Sequence, residues 1–288
     1  MSSKKIYILG ESGQLAKCIS HVQKEFPNLE IQFFGRDKID FEKPLEPQLN
    51  WEIQPDWIIN TVAFTAVDVA ESQPDLNWRV NAEALLELSN WCAKYGIPLI
   101  HFSTDYVFEG ENVVSGGYTE VSAVNPQSEY GRAKLQGEIY VSRLTKALIF
   151  RIAWLYSQFG KNFYTTISNK LKAGESLRVV GDQIGCPTSA MALAYDILQL
   201  IMNTEIEDME FGLYHYSHEG EISWYDFATA IAKELNYETE IESISSAELK
   251  MPAIRPKFSA LNSNLAEQVL QFPSRDWREE LKEIIKIK

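Results

Sequence analysis

Cysteine is scarce in this chain: Cys18, Cys92 and Cys186 form an odd set without metal-ligand spacing, which predicts buried, reduced thiols rather than a disulfide framework. Long apolar runs are missing too. After Met1-Ser2-Ser3-Lys4-Lys5 the chain enters only the short run Ile6 to Leu9, too brief for a secretory signal, and no later stretch has the length of a membrane span. A cytoplasmic location is the expectation. Positive charge is in deficit, with 27 Lys and Arg against 40 Asp and Glu and a net charge of -13. That excludes a broad basic face for nucleic acid, but leaves room for a small phosphorylated ligand held by a few local cations. Internal repeats, low-complexity tracts and Gly/Ser/Pro-rich linkers are also lacking.

What is present fits an ordinary globular enzyme of 288 residues, 45% hydrophobic and 23% charged. In the first half, short apolar runs alternate with helical stretches, the pattern of β-α units feeding a parallel sheet. Ile6–Leu9, Ile31–Phe34, Trp57–Ile59, Pro98–Phe102 and Ala147–Ile152 are the expected strands, and Asn81–Tyr95 is an expected helix ending at Gly96. After Trp154 the pattern loosens: helices are expected over 189–202, 224–235 and 277–285, with a short strand at 212–217 that rejoins the main sheet. The fold expected is α/β, a doubly wound parallel (Rossmann) sheet with a smaller, discontinuous C-terminal substrate lobe. Residues 1–153, rejoined by 187–217, make the dinucleotide-binding domain, and 154–186 with 218–288 make the lobe.

Gly10-Glu11-Ser12-Gly13-Gln14-Leu15-Ala16 follows the first strand with the spacing of a dinucleotide loop, Ala16 standing where a third glycine is usual. Gly10 permits the tight turn, and Gly13 lets the backbone approach a pyrophosphate at the helix N-terminus. At the end of the second strand Arg36 suits a 2′-phosphate, so NADPH is the expected cofactor with NADH as the alternative; Asp37, close by, pulls towards NADH. Asp40 and Phe41 flank the adenine position, and Asn60 to Thr65 line the carboxyl edge of the sheet.

Tyr130 and Lys134 lie one helical turn apart, on one face if Tyr130 opens a helix. A phenol normally titrates near ~10, and a neighbouring ammonium favours its ionised form. With Thr104 at a strand end offering a second hydroxyl to the same oxygen, the set suits proton transfer during carbonyl reduction. Arg255 offers a planar fork for a diphosphate, which Lys161 and Asn162 would assist. His101, without a partner pattern, reads as structural.

These residues together resemble the extended short-chain dehydrogenase/reductase family. The specific segments are Thr65-Ala66-Val67-Asp68-Val69-Ala70-Glu71, Ser103-Thr104-Asp105-Tyr106-Val107-Phe108, Tyr130-Gly131-Arg132-Ala133-Lys134 and Gly181-Asp182-Gln183-Ile184-Gly185-Cys186-Pro187-Thr188. Nearest is the branch acting on nucleotide-linked 4-keto-6-deoxysugars, and the resemblance covers nearly the whole chain. It implies NAD(P)H-dependent reduction of the C4 keto group of a dTDP-sugar, dTDP-4-dehydro-L-rhamnose, to dTDP-L-rhamnose. Tyr130 would be the proton donor; Lys134 would hold the nicotinamide ribose and lower the Tyr130 pKa; Thr104 would bind the reacting oxygen; Asp105 and Trp154 would contact the sugar. Gly13, Gln14, Leu15, Asp40, Phe41, Ala63, Phe64 and Thr65 match cofactor contacts. The alternatives are a reductase of another nucleotide-linked sugar and a non-catalytic NADP-binding regulatory subunit. Some relatives dimerise around Mg²⁺ held by glutamates; here Cys18 and Met191 fall at or near those positions, and sulfur is a poor ligand for that ion. No metal site is expected, and the chain is expected to be a monomer or a magnesium-independent dimer.

Overall fold

A computed structural model describes residues 3–287. Six parallel strands form its central sheet: β1 (Lys4–Leu9), β2 (Leu29–Phe34), β3 (Trp57–Asn60), β4 (Leu99–Thr104), β5 (Ala147–Ile152) and β6 (Gly212–Tyr216). Their spatial order is β6-β5-β4-β3-β1-β2, so the winding reverses between β1 and β3. A crevice opens outside the carboxyl ends of the strands at such a reversal. β3 and β4 are buried along their whole length, as strands covered on both faces must be, whereas edge strand β2 exposes Glu30 and Gln32.

Successive side chains of a strand point to opposite faces, and β1 shows the result. Ile6 and Ile8 enter the core beneath α1 (Gln14–Val22), while Tyr7 and Leu9 join the core beneath α2 (Ala84–Tyr95) and α3 (Glu129–Val141). The sequence pattern predicts one helix over 81–95. The chain instead makes a wide π turn at Arg79–Glu83 before α2 begins. Asn81, inside that turn, exchanges hydrogen bonds with the backbone of Phe64: it accepts from the amide at 3.0 Å and donates to the carbonyl at 2.9 Å. Single π turns inside an α-helix occur often beside functional sites.

The later elements are α4 (Phe163–Lys172), α5 (Ala190–Asn203), α6 (Trp224–Glu234) and α7 (Trp277–Lys286). Short pairings tie them together: Leu177–Val180 with Ile241–Ile244, and Ile184–Gly185 with Ile222–Ser223. α5 packs on α1, and β6 lies parallel to β5, so the chain returns to the main sheet after α4 and the short pairings that follow it. One apolar core runs from Ile6 and Leu15 through Leu193 to Phe227 and Trp277, joining the sheet to α6 and α7.

Candidate active site

Gly10 adopts φ 97°, and a Cβ there would stand 2.8 Å from Thr61 Oγ1, so both backbone and space require glycine. Thr61 in turn donates to the Leu9 carbonyl at 2.7 Å, binding the ends of β1 and β3 together below the loop. Gly13 precedes the first turn of α1, whose amides receive no side-chain cap and which carries no acidic residue there. Gln14 Nε2 is buried at the same place without a partner. Open amides, an orphaned donor and two close glycines fit an anionic pyrophosphate.

Two cavities meet at this loop, both lined by Ser12, Gly13, Thr61 and Ala63. The smaller, about 230 Å³, extends past Arg36, Asp40, Phe41 and Phe64. Its floor is firm: Phe41 is buried, and Asp40 accepts from the Glu42 amide at 3.0 Å. Burial alone would raise the Asp40 pKa, but that amide, Lys43 and Arg36 outweigh it and hold the carboxyl below its usual value. Arg36 is largely exposed and paired with Glu42 at 2.5 Å and, more loosely, with Asp40 at 3.5 Å. A 2′-phosphate would have to draw the guanidinium from those carboxylates.

The larger cavity, about 590 Å³, holds Gln14, Leu15, Thr65, Thr104, Tyr130 and Lys134 in its wall. Ser128 caps α3 by accepting from the Gly131 amide at 3.1 Å, so Tyr130 sits in the first turn and Lys134 one turn on, facing the end of β4. Thr104 is the last residue of β4; its hydroxyl donates to Asp105 at 3.0 Å. Lys134 donates to the Phe102 carbonyl and lies 3.5 Å from His101 Nε2. Burial lowers its pKa to about 8, against an opposing pull from Glu138. The expected depression of Tyr130 is not what the structure shows. Burial raises the phenol, Asp105 and Tyr106 add to the rise, and only Thr104 opposes it. Lys134 is turned towards β4 instead of spending its charge on the phenol. Tyr130 therefore rests protonated, the state a proton donor needs.

Trp154 and Trp224 stack in the wall of the same cavity. Asp105, buried, lines the same cavity with Oδ2 unpartnered. Desolvation raises its pKa to about 6 despite hydrogen bonds from Ser259 and Thr104. Arg255 stands behind this wall: it binds Asp68 at 2.6 Å and donates to the Tyr106 hydroxyl at 3.2 Å, a position from which it braces Tyr106 rather than opening directly into the cavity. Lys161 and Asn162 do line it. Two residues of segments named above carry no assigned role in the sequence and now stand in or beside the cleft: Ser103, whose hydroxyl is buried and unpartnered, and Trp224, which opens α6 behind the Ser223–Asp226 capping box; Asn81, which holds Phe64 in place, escapes the sequence reading.

Cys18 and Met191 are both buried where α1 meets α5, and desolvation pushes the Cys18 thiol up to about 12, with Ser157 opposing. Among the described residues no cluster of three His, Cys, Asp or Glu side chains has the geometry of a metal site, and no helix is long and apolar enough to cross a membrane.

A doubly wound sheet with a glycine-turned pyrophosphate loop at its reversal, leading into a Thr-Tyr-Lys cleft, defines a pyridine-nucleotide-dependent oxidoreductase of the extended short-chain dehydrogenase type. Within that class the chain belongs to the RmlD substrate binding domain family, whose pattern it matches over residues 4–288. It is 32% identical over 290 residues to a dTDP-4-dehydrorhamnose reductase of Sinorhizobium fredii, covering 98% of this chain and 96% of that protein. The crystal structure of a dTDP-4-dehydrorhamnose reductase from Clostridium acetobutylicum superposes with TM-score 0.90 at 36% identity, over 98% of this chain and 99% of that one. The Bacillus anthracis enzyme of the same name, solved in complex with NADP, gives TM-score 0.90 at 32% identity, again over 98% and 99% of the two chains.

Proposed function

We propose that this protein reduces the C4 keto group of dTDP-4-dehydro-L-rhamnose with NADPH, forming dTDP-L-rhamnose in the cytoplasm. The observation that carries the reading is the continuity of the two cavities across Gly13, Thr61 and Ala63, which gives an extended dinucleotide one path from Arg36 to Tyr130. When bound, the reduced nicotinamide supplies the hydride. The chain's own residues do the rest. Gly10, Gly13, Gln14 and Leu15 hold the pyrophosphate; Arg36, Asp40 and Phe41 hold the adenosine end; Ala63, Phe64 and Thr65 line the path between. Thr104 and Tyr130 converge on the keto oxygen, and Tyr130 delivers its proton as the alkoxide forms. Lys134 positions the nicotinamide ribose. Asp105 and Trp154 orient the sugar, and Arg255 supports the diphosphate side through Tyr106.

In this reading residues 1–153 with 187–217 bind the cofactor, 154–186 with 218–288 bind the sugar nucleotide, and the protein works as a monomer or a magnesium-independent dimer. NADPH consumption on adding enzymatically prepared dTDP-4-dehydro-L-rhamnose, with dTDP-L-rhamnose identified by mass and NMR, is the test. Tight NADPH binding without turnover of that sugar would refute the assignment.

A further inference from the structure

Asn77 and Asn81 are fully buried and lie four residues apart, Asn77 in the short helix Pro74–Trp78 and Asn81 in the π turn that follows it. Both side chains find their partners inside the protein. Asn81 Oδ1 accepts from the Phe64 amide, which fixes its NH₂ end; that NH₂ donates to the Phe64 carbonyl and, at 2.8 Å, to Asn77 Oδ1. With its oxygen so engaged, Asn77 presents its own NH₂ on the other side, where it donates to the Glu129 carbonyl at 2.8 Å. One backbone amide, that of Phe64, therefore orients both side chains. Flipping either would set donor against donor or acceptor against acceptor.

The two ends of this tie are places that carbonyl reduction must keep in register. Phe64 lines the smaller cavity, on the path taken by the dinucleotide. Glu129 is the first residue of α3, and its carbonyl belongs to the peptide unit that ends at the Tyr130 nitrogen. Helix geometry already gives that carbonyl a partner one turn on, so the bond from Asn77 fixes its place rather than satisfying it. The N–H of the same residue is gripped from the same stretch of chain: Glu71, in the helix Val67–Ser72, accepts from the Glu129 amide at 2.9 Å. On the opposite side α3 rests against Tyr106, whose carbonyl would collide with a Cβ at Gly131 and whose ring meets Tyr130 edge-on. The first turn of α3 is thus held at each peptide unit flanking Glu129.

We propose that Asn77 is a positioning residue for the proton donor: through Asn81 it ties the backbone lining the cofactor path to the first turn of α3, and so fixes where Tyr130 stands. The inference rests on the proposed reaction for its catalytic consequence, whereas the tie itself does not depend on substrate.

The test uses the whole chain with ¹³C-labelled tyrosine rings. The Tyr130 signal, assigned by its loss in Tyr130→Phe, should shift or split in Asn77→Ala while tyrosines remote from α3 keep theirs. With saturating NADPH and the dTDP-sugar, the same variant should lose roughly threefold to tenfold in kcat, the span of one net hydrogen bond, with KM for both ligands little changed. Asn77→Asp adds a signature that a merely structural role would lack. A protonated carboxyl keeps both bonds, accepting from Asn81 and donating to the Glu129 carbonyl; an ionised one sets acceptor against acceptor. Burial and the nearby Glu71 and Glu129 raise its ionisation above the ordinary carboxylate range, with Arg132, paired to Glu129 at 2.7 Å, opposing. The kcat of Asn77→Asp relative to wild type should therefore fall as pH rises, while that of Asn77→Ala stays level. Asn77→Ser replaces any variant that does not fold and should behave as Asn77→Ala. An unmoved Tyr130 signal in Asn77→Ala overturns the proposal, as does a lowered Tm with unchanged kcat, or a level pH ratio in Asn77→Asp. A wild type that fails to reduce the dTDP-sugar, with the Tyr130 signal displaced in Asn77→Ala, would reject the function and keep the inference.

Discussion

Trp154 lies flat on Trp224, with ring centroids 3.4 Å apart and 7° between their planes. Trp154 holds this position with φ 47°, a left-handed backbone conformation unfavourable for a bulky residue. Behind it, the space at Gly185 is so tight that a Cβ would come within 2.6 Å of the indole. Strain of this kind persists only where the surroundings impose it, and it gathers at ligand-binding positions. Trp224→Ala should therefore raise KM for the sugar nucleotide by roughly tenfold to a hundredfold, the scale of losing one stacked aromatic contact, and leave NADPH affinity unchanged. Gly185→Ala should act similarly by pushing Trp154 off its partner. Equal losses for sugar and cofactor would argue that the pair is merely core.

Tyr130→Phe should lower turnover by about two to four orders of magnitude, the usual range for removal of a positioned general acid. Cofactor affinity, read by fluorescence titration, should persist because the ring and Lys134 remain. Near-normal turnover would remove Tyr130 from the mechanism.

NADPH should exceed NADH in kcat/KM, and Arg36→Ala should erode the difference chiefly through KM. A charge-assisted bond to the 2′-phosphate contributes about 1.5–3 kcal/mol. Arg36 is exposed and must leave Glu42 to make it, so the lower end, roughly tenfold, is the expected size. Equal use of both cofactors by the wild type would contradict the role.

Light scattering should give one mass with and without EDTA, and activity should persist in chelator. The contact between α1 and α5 is sealed by Cys18 and Met191, which offer sulfur rather than oxygen. A dimer that dissociates on chelation would refute this.

Acid should destabilise the fold early. His215 and His218 are buried, and desolvation, helped by Arg151 and Arg275 respectively, lowers each to about 3. His218 Nε2 accepts from the Ser189 amide at 2.9 Å, a bond that protonation would break. Such groups contribute stability that is present above the unfolded value and is lost as pH falls from about 6.5 towards the folded one. Asp105, raised to about 6, works oppositely and offsets part of the loss. Thermal scans should show Tm falling by roughly 10 °C between about pH 7 and pH 5, and falling less in His218→Gln. A flat profile would show that these histidines are solvated.

The sheet is legible in the sequence because strands buried on both faces carry their own signature: every apolar run named there is a strand, with β1 and β2 beginning two residues earlier and β4 running over Leu99–Thr104 instead of Pro98–Phe102. The proximity of Tyr130, Lys134 and Thr104 was legible through helical spacing and a strand end. The direction of the Tyr130 shift was not, because it depends on burial and on where the Lys134 amine points. Arg255 was read as a free fork, yet its partner Asp68 lies far away in the chain and meets it only after folding. His101 reads as structural in the sequence, and its contact at 3.2 Å with Asn60, on a different strand, forms only on folding.

The return of the chain through β6 has a practical meaning for anyone wishing to exchange specificities among such proteins. Because β6 hydrogen-bonds β5 along its length and α5 seals against α1, the segments on either side of them, proposed above to bind the sugar nucleotide, cannot be swapped as a single terminal cassette. A graft would need two separate inserts, one before Ala190 and one after Tyr216, with the intervening segment left as a hinge pin native to the host.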